Sequence, residues 1–362
     1  MKKILFAIGS LSGGGGERVV SVWAGQLAER GYDTAVFTYA KADDEYYLSP
    51  KVKRLTLVDD IKDYLSQSGL KRYRNIRKII KGFSPDVVIS FFPTIQIWMK
   101  AATIGLGVKR IDTVRVNPLY ASNSKAVNAM WRWCLKTSAL TILQCEDQKM
   151  FFNKKIQKKC AVVPNPLSEV YENCGKDRYS NENLKFIAAG RLCKQKNFPM
   201  LIKAFAKAHA QNPKITLDIY GEGTSSYIEF LDSIINQDSA TEYIHLCGRT
   251  SDMHGELLNH DAFVMSSDYE GMPNALAEAM ATGLVCISTD CPTGPRDLIR
   301  GGENGFLVPV DDVDAMAEKI IEVSNMSATE IESLGKSARK FVVDYCGREN
   351  SLAKLIDAIE KC

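Results

Sequence analysis

Apolar residues in this chain recur in two alternating rhythms. Short runs rich in Val, Ile, Leu and Phe are followed by longer stretches with apolar positions three and four apart, the mark of repeated βα units and parallel sheets. In the first half the pattern predicts strands at 3–8, 34–38, 54–58, 86–90, 111–114, 140–143 and 160–163, with helices near 17–30, 69–82, 95–105, 124–137 and 146–155. Residues 164–183 lose the periodicity and open with Pro164-Asn165-Pro166, and a proline restricts its predecessor to extended backbone. The alternation then restarts, with strands at 184–189, 215–220, 243–246, 262–265, 285–288 and 305–308. Helices fit 199–210, 225–236, 252–259, 274–283, 296–300, 312–324, 328–344 and 348–361.

The pattern predicts a first domain at 1–165, a linker at 166–183, a second domain at 184–345 and a C-terminal helix within 346–362, able to cross back to the first domain. A length of 362 residues suits two domains, each large enough to bury a core. Both read as doubly wound α/β. Ligands of such sheets bind beyond the carboxyl ends of the strands, so a cleft between the domains is the expected site.

Composition excludes several classes. With 45% hydrophobic and 25% charged residues, the chain is neither disordered nor collagen-like nor a small disulfide scaffold. The net charge of +3 conceals an asymmetry: residues 1–165 hold 27 Lys and Arg against 13 Asp and Glu, and residues 166–362 hold 19 against 30. A basic half joined to an acidic one predicts that the first half meets a polyanion. The ten cysteines contain no C-x-x-C pair, and the apolar run after Met1-Lys2-Lys3 is too short for a signal peptide. Reduced thiols in a cytoplasmic protein are the expectation. The four histidines all follow residue 200 and none has ligand spacing, which argues against a zinc site. No apolar run is long enough to span a bilayer.

Gly13-Gly14-Gly15-Gly16 follows the first strand and precedes a helix, where backbone amides at a positive helix end can seat an anion. The spacing matches neither the dinucleotide fingerprint nor a P-loop. In the second half, Gly190-Arg191 and Lys196 stand at the end of a strand, Arg suited to bidentate and Lys to point-charge contact with a diphosphate. Gly221-Glu222-Gly223 and Gly248-Arg249 end two further strands. The strongest signal is Glu270-Gly271-Met272-Pro273-Asn274 followed by Glu278. Pro273 is suited to the first helical position, the amides of Gly271 to Asn274 to an oxyanion, and the two glutamates to hydroxyls. Hydroxyls flanking phosphates describe a nucleotide sugar.

These motifs, with Asn304-Gly305-Phe306-Leu307-Val308, resemble the retaining GT-B nucleotide-sugar glycosyltransferases of the large group 1 and family 4 type, including enzymes of bacterial polysaccharides and lipid-linked glycans. The resemblance runs along nearly the whole chain. It implies two Rossmann-like domains facing a central cleft. It also implies that Arg191 and Lys196 hold the donor diphosphate, that Glu270 contacts the transferred sugar and that Glu278 holds the ribose. Gly190, Gly221, Gly248, Gly271, Met272, Pro273 and Asn274 would complete the donor site. Gly14, Gly15 and Gly16 would approach it from the other domain. Retention in such enzymes is ascribed to front-face attack, with the departing phosphate taking the acceptor's proton and no metal or other cofactor needed.

Many of these relatives carry a histidine in the first domain near the acceptor. Here the stretch reads Thr113-Val114-Arg115-Val116-Asn117-Pro118, making Arg115 and Asn117 the candidates for acceptor contact. Residues 69–82 hold six cations and no acid, with Leu70, Tyr73, Ile76 and Ile80 as an apolar stripe. Lys71, Arg74, Arg77 and Lys78 are candidates for a polyprenyl-diphosphate-linked acceptor or an anionic membrane surface. The expectation is a metal-independent hexosyltransferase, peripheral on the inner face of the cytoplasmic membrane. It would move a hexose or N-acetylhexosamine from a UDP-sugar to a lipid-linked saccharide in surface glycan synthesis. Two rivals are a nucleotide-sugar 2-epimerase, disfavoured by the few histidines, and a non-catalytic module for anionic membranes. Nucleic acid is not an expected partner, because aromatics do not interleave the cations.

Overall fold

All thirteen runs expected as strands pair in parallel. The computed structural model describes residues 2–177, 179–180 and 182–362. In the first sheet β1 is Lys3–Ala7, β2 Asp33–Thr38, β3 Lys53–Thr56, β4 Val87–Ser90, β5 Lys109–Thr113, β6 Leu140–Leu143 and β7 Cys160–Val162. Their order is β3-β2-β1-β4-β5-β6-β7. The second sheet comprises β8 Lys185–Ala189, β9 Thr216–Tyr220, β10 Ile244–Gly248, β11 Ala262–Met265, β12 Val285–Thr289 and β13 Phe306–Val308, in the order β10-β9-β8-β11-β12-β13. Both are doubly wound. Central strands are apolar on both faces because helices cover both, and Ile4 to Ala7 are wholly buried.

The chain divides into two compact units. One runs to Pro166 and regains Arg348–Cys362; the other is Leu167–Gly347. Residues 167–173 are therefore built into the second unit, a correction to the expectation of a linker at 166–183 from lost periodicity. Leu167 and Tyr171 are buried with Ala338, Val342 and Cys346, and the Leu167 amide donates to the Cys346 carbonyl at 2.9 Å. A short helix, Glu169–Asn173, forms here. The C-terminal helix Arg348–Glu360 packs in the first unit, where Leu352, Leu355 and Ile359 join Val20, Trp23 and Leu27 of the helix Gly15–Glu29. Ser351 Oγ accepts from Trp23 Nε1 at 3.0 Å and donates to the Pro164 carbonyl at 2.8 Å. The expected helix at 146–155 is instead a 3-10 stretch, Glu146–Phe151, and one turn at Lys154–Gln157. Asn153 separates them by capping the second turn with its side chain.

Candidate functional site

Strand order reverses between β8 and β11, so the loops that leave these neighbours diverge and open a crevice at the carboxyl edge of the second sheet. The first loop, 190–197, contains a single 3-10 turn at Lys194–Lys196 and ends at Asn197, whose left-handed backbone and side chain cap the helix Phe198–His209. The second, 266–273, leads into the helix Asn274–Thr282.

Polar bonds stitch the two loops together. Ser266 Oγ donates to the Lys196 carbonyl at 2.7 Å and Gln195 Nε2 to the Tyr269 carbonyl at 2.7 Å. The Asp268 amide donates to the Gln195 carbonyl at 2.9 Å, and Asn197 Nδ2 to Asp268 Oδ1 at 2.8 Å. At the centre Lys196 Nζ lies 2.7 Å from Glu270 Oε1, which also accepts from Ser267 Oγ at 2.7 Å. Thr293 Oγ1 donates to the Glu270 carbonyl. Cys291 lies beside this pair, and burial pushes its thiol up to about 12.

The glycines at the strand ends serve close approach. Gly221 has φ +158°, and a Cβ there would stand 1.8 Å from the Gly190 carbonyl oxygen. Gly190 lies under the Lys196 side chain, with a Cβ position 2.9 Å from Cε. Arg191 is exposed and has no ion-pair partner among the described residues. Pro273 occupies the N-cap of Asn274–Thr282, not the first helical position, and no side chain caps that helix. The start of this helix carries the positive end of its dipole. Met272 is buried among Leu276 and Met280, so it anchors the loop in the core. Gly271, Asn274 and Glu278 are half-buried. Lys196 and Glu270 come together, and Arg191 stands exposed in the same loop as Lys196; Ser267, Thr293 and Gly294 were not foreseen. Gly294 has φ +98° and a Cβ position 2.6 Å from Pro273 Cδ, for which Gly294-Pro295 was the available signal.

In the first unit Gly13 has φ +89°, Gly14 is the N-cap and Gly15 opens the helix. Gly16 admits Phe92, whose Cζ stands 2.8 Å from the Cβ position. Arg115 is enclosed: its guanidinium lies 4.6 Å from the Trp23 ring and 4.7 Å from Phe91, and Nη1 donates to Asn165 Oδ1 at 2.7 Å. Burial lowers its pKa to about 9. Asn117 is also buried, its Oδ1 accepting from the Leu119 amide at 3.0 Å.

In the helix Gly69–Phe83, Ile76, Ile80 and Phe83 face the core, whereas Leu70 is 59% exposed and leaves the expected stripe. Arg77 points inward as a brace, Nη1 donating at 2.8 Å to the carbonyls of both Ala102 and Ile104. Lys71, Arg74 and Lys78 are exposed. Among the described residues no group of three or more His, Cys, Asp or Glu is arranged to hold a metal, and no helix is long and apolar enough to cross a membrane.

Two family models match the sequence, and solved structures share the fold. The model "Glycosyltransferase Family 4" matches residues 13–169, and "Glycosyl transferases group 1" matches 183–325. An uncharacterized glycosyltransferase of Methanocaldococcus jannaschii is 31% identical over 64% of this chain and 62% of its own length. An alpha-1,4-N-acetyl-D-galactosaminyltransferase of Campylobacter jejuni, named for a diNAcBac-PP-undecaprenol-linked substrate, is 28% identical over 90% of this chain and 89% of its own. Anabaena HepE, solved in complex with UDP and glucose, superposes with a TM-score of 0.81 at 15% identity over 100% of both chains. The two parallel-sheet domains are those of the GT-B fold.

Proposed function

From the premise that this chain is a GT-B glycosyltransferase, as its fold and both family matches support, we propose that it is a retaining enzyme using a UDP-sugar. It moves a hexose or N-acetylhexosamine onto a hydroxyl of a polyprenyl-diphosphate-linked saccharide at an anionic membrane face, in surface glycan synthesis. The observation that carries the donor reading is the Lys196–Glu270 pair at 2.7 Å, with Arg191 five residues earlier and the start of Asn274–Thr282 close behind. Cleavage of the anomeric bond leaves growing negative charge on the nucleoside diphosphate, and Arg191, Lys196 and the helix end supply preorganised positive charge for it. Glu270 accepts hydrogen bonds from hydroxyls of the transferred sugar, and Glu278 from the ribose. The departing phosphate takes the acceptor's proton, so no protein nucleophile is assigned. These cations take the role a divalent ion would otherwise have, and the reaction is metal-independent.

The UDP and glucose held by HepE and the lipid-linked substrate named for the Campylobacter relative support the choice of donor and acceptor. Calorimetry against a panel of glycosyl nucleotides, followed by NMR of the product's anomeric configuration, tests the reading. Heat with a UDP-sugar and a retained configuration are expected. No heat with any common glycosyl nucleotide overturns the donor site, and an inverted product overturns retention.

A further inference from the structure

The amino-terminal edge of the first sheet gathers cations that the proposed reaction does not use. Lys109 opens β5 and Arg110 follows it, while Lys100 lies in the last turn of the helix Pro93–Thr103. With Ile104 and Val108 they line a pocket of about 280 Å³. Arg110 is only 7% exposed. Its Nη2 donates to Asp112 Oδ2 at 3.2 Å and to the Cys134 carbonyl at 3.1 Å, and its buried Nε has no hydrogen-bond partner among the described residues. Asp112 is wholly buried and its other oxygen accepts from Ser90 Oγ at 2.6 Å. Lys159 reaches the same region, donating to the Lys136 and Ser138 carbonyls at 2.7 and 2.6 Å. Arg110 pairs with Asp112, the charges of Lys100 and Lys159 also act on that carboxylate, and Lys109 adds a further positive charge. Burial, and then repulsion from Arg110, hold the Lys100 ammonium below its ordinary range. Such an excess is relieved by an anion.

Exposed apolar side chains stand beside the pocket, Ile104 in its lining and Trp133 against Lys100. Ile104 is 63% exposed, and Met130 and Trp133, one helical turn apart on Lys125–Thr137, are 45% and 56% exposed. The opposite face of that helix buries Trp131, Cys134 and Leu135. Lys100 Nζ stands 3.7 Å from the centre of the Trp133 ring and donates to Thr137 Oγ1 at 2.6 Å. An exposed tryptophan and aliphatic groups beside a buried Arg110, a half-buried Lys100 and an exposed Lys109 match the boundary of headgroups and acyl chains, where ring and charge are both satisfied. A free phosphate would make no use of those apolar groups.

We propose that the pocket formed by Lys100, Lys109 and Arg110 takes the phosphate of an anionic lipid headgroup, with Ile104, Met130 and Trp133 seated in the bilayer interface around it. These residues are not the helix Gly69–Phe83 cations first assigned to this task, and Arg77 braces that helix against the Ala102–Ile104 corner. The proposal rests on the membrane part of the functional reading and is independent of the donor site.

The test floats the full chain with vesicles of phosphatidylcholine, alone or mixed with phosphatidylglycerol. The unaltered chain is expected to float with the mixed vesicles only. Lys100→Glu/Lys109→Glu is expected to bind them at least about tenfold more weakly, since each cation near such a surface contributes about 1 kcal/mol. Trp133→Ser should weaken binding as well, with melting temperature unchanged. Ile104→Ser and Met130→Ser leave every polar bond of the pocket intact and decide the matter if the charge variant melts early. Flotation of folded variants at the original level, or none by the unaltered chain, overturns the proposal. So does inorganic phosphate raising the melting temperature through Lys100 and Lys109 while flotation ignores them. UDP-sugar calorimetry on the same samples separates this outcome from failure of the donor reading.

Discussion

Lys196 and Glu270 close an ion pair at 2.7 Å between the turn after β8 and the loop after β11, with side chains only 16% and 9% exposed. A pair so enclosed makes each partner costly to remove alone, because the other charge stays behind. Lys196→Met is expected to destabilise the chain by about 3 kcal/mol, and Lys196→Met/Glu270→Gln by less than the sum of the single changes. Thermal unfolding of the four proteins measures the coupling. Strict additivity would show that the two side chains do not interact in solution.

Arg191 presents the opposite case. It is exposed and braces nothing among the described residues, so Arg191→Ala should leave the melting temperature where it is. Transfer from the proposed UDP-sugar donor should fall at least about tenfold, or about 1.4 kcal/mol. Arg191→Lys should restore only part, since an ammonium cannot form the paired hydrogen bonds of a guanidinium. Equal turnover in Arg191→Ala and the unaltered chain would remove this residue from the donor site.

The strands, the doubly wound order and the meeting of the loops that carry Lys196 and Glu270 are legible because each rests on local signals: apolar runs, strand-end glycines and spacing. What escaped depends on contacts distant in sequence. Nothing near Ser267 or Thr293 announces that both hold Glu270, one by side chain and one by backbone. Leu167 and Tyr171 looked like linker because their partners, Val342 and Cys346, lie about half the chain away. Arg77 is read by its charge and Arg115 by its place in the stretch where relatives carry a histidine, yet one is a brace and the other a guanidinium enclosed by two rings.

Gly221 and Gly248 end adjacent strands but should respond differently to alanine. At Gly221 the new methyl would stand 1.8 Å from the Gly190 backbone oxygen, so the loop that carries Arg191 must move. At Gly248, φ is +70° and nothing lies within 4 Å of the Cβ position, leaving only the left-handed backbone cost of about 1–2 kcal/mol. Gly221→Ala should therefore melt well below Gly248→Ala and lose donor binding. Calorimetric titration with the UDP-sugar and a melting curve on each variant check this, and equal losses would contradict the close approach of β9 to Gly190.

The helix Gly69–Phe83 separates cations that hold the fold from cations free to meet a ligand. Arg77 Nη1 donates to the Ala102 and Ile104 carbonyls, both at 2.8 Å, where the helix Pro93–Thr103 runs out of internal donors. Arg77→Met deletes charged hydrogen bonds to these carbonyls and should cost about 2 kcal/mol of stability. Lys71, Arg74 and Lys78 are exposed on the same helix, and reversing all three charges should leave melting nearly unchanged. Because each cation near an anionic surface contributes about 1 kcal/mol, that triple reversal should instead lower flotation with phosphatidylglycerol vesicles and slow transfer to a lipid-linked acceptor. A triple variant that floats and transfers normally would leave these three cations as solvated surface. An Arg77→Met protein that melts normally but floats poorly would show that Arg77 leaves its brace to meet the membrane.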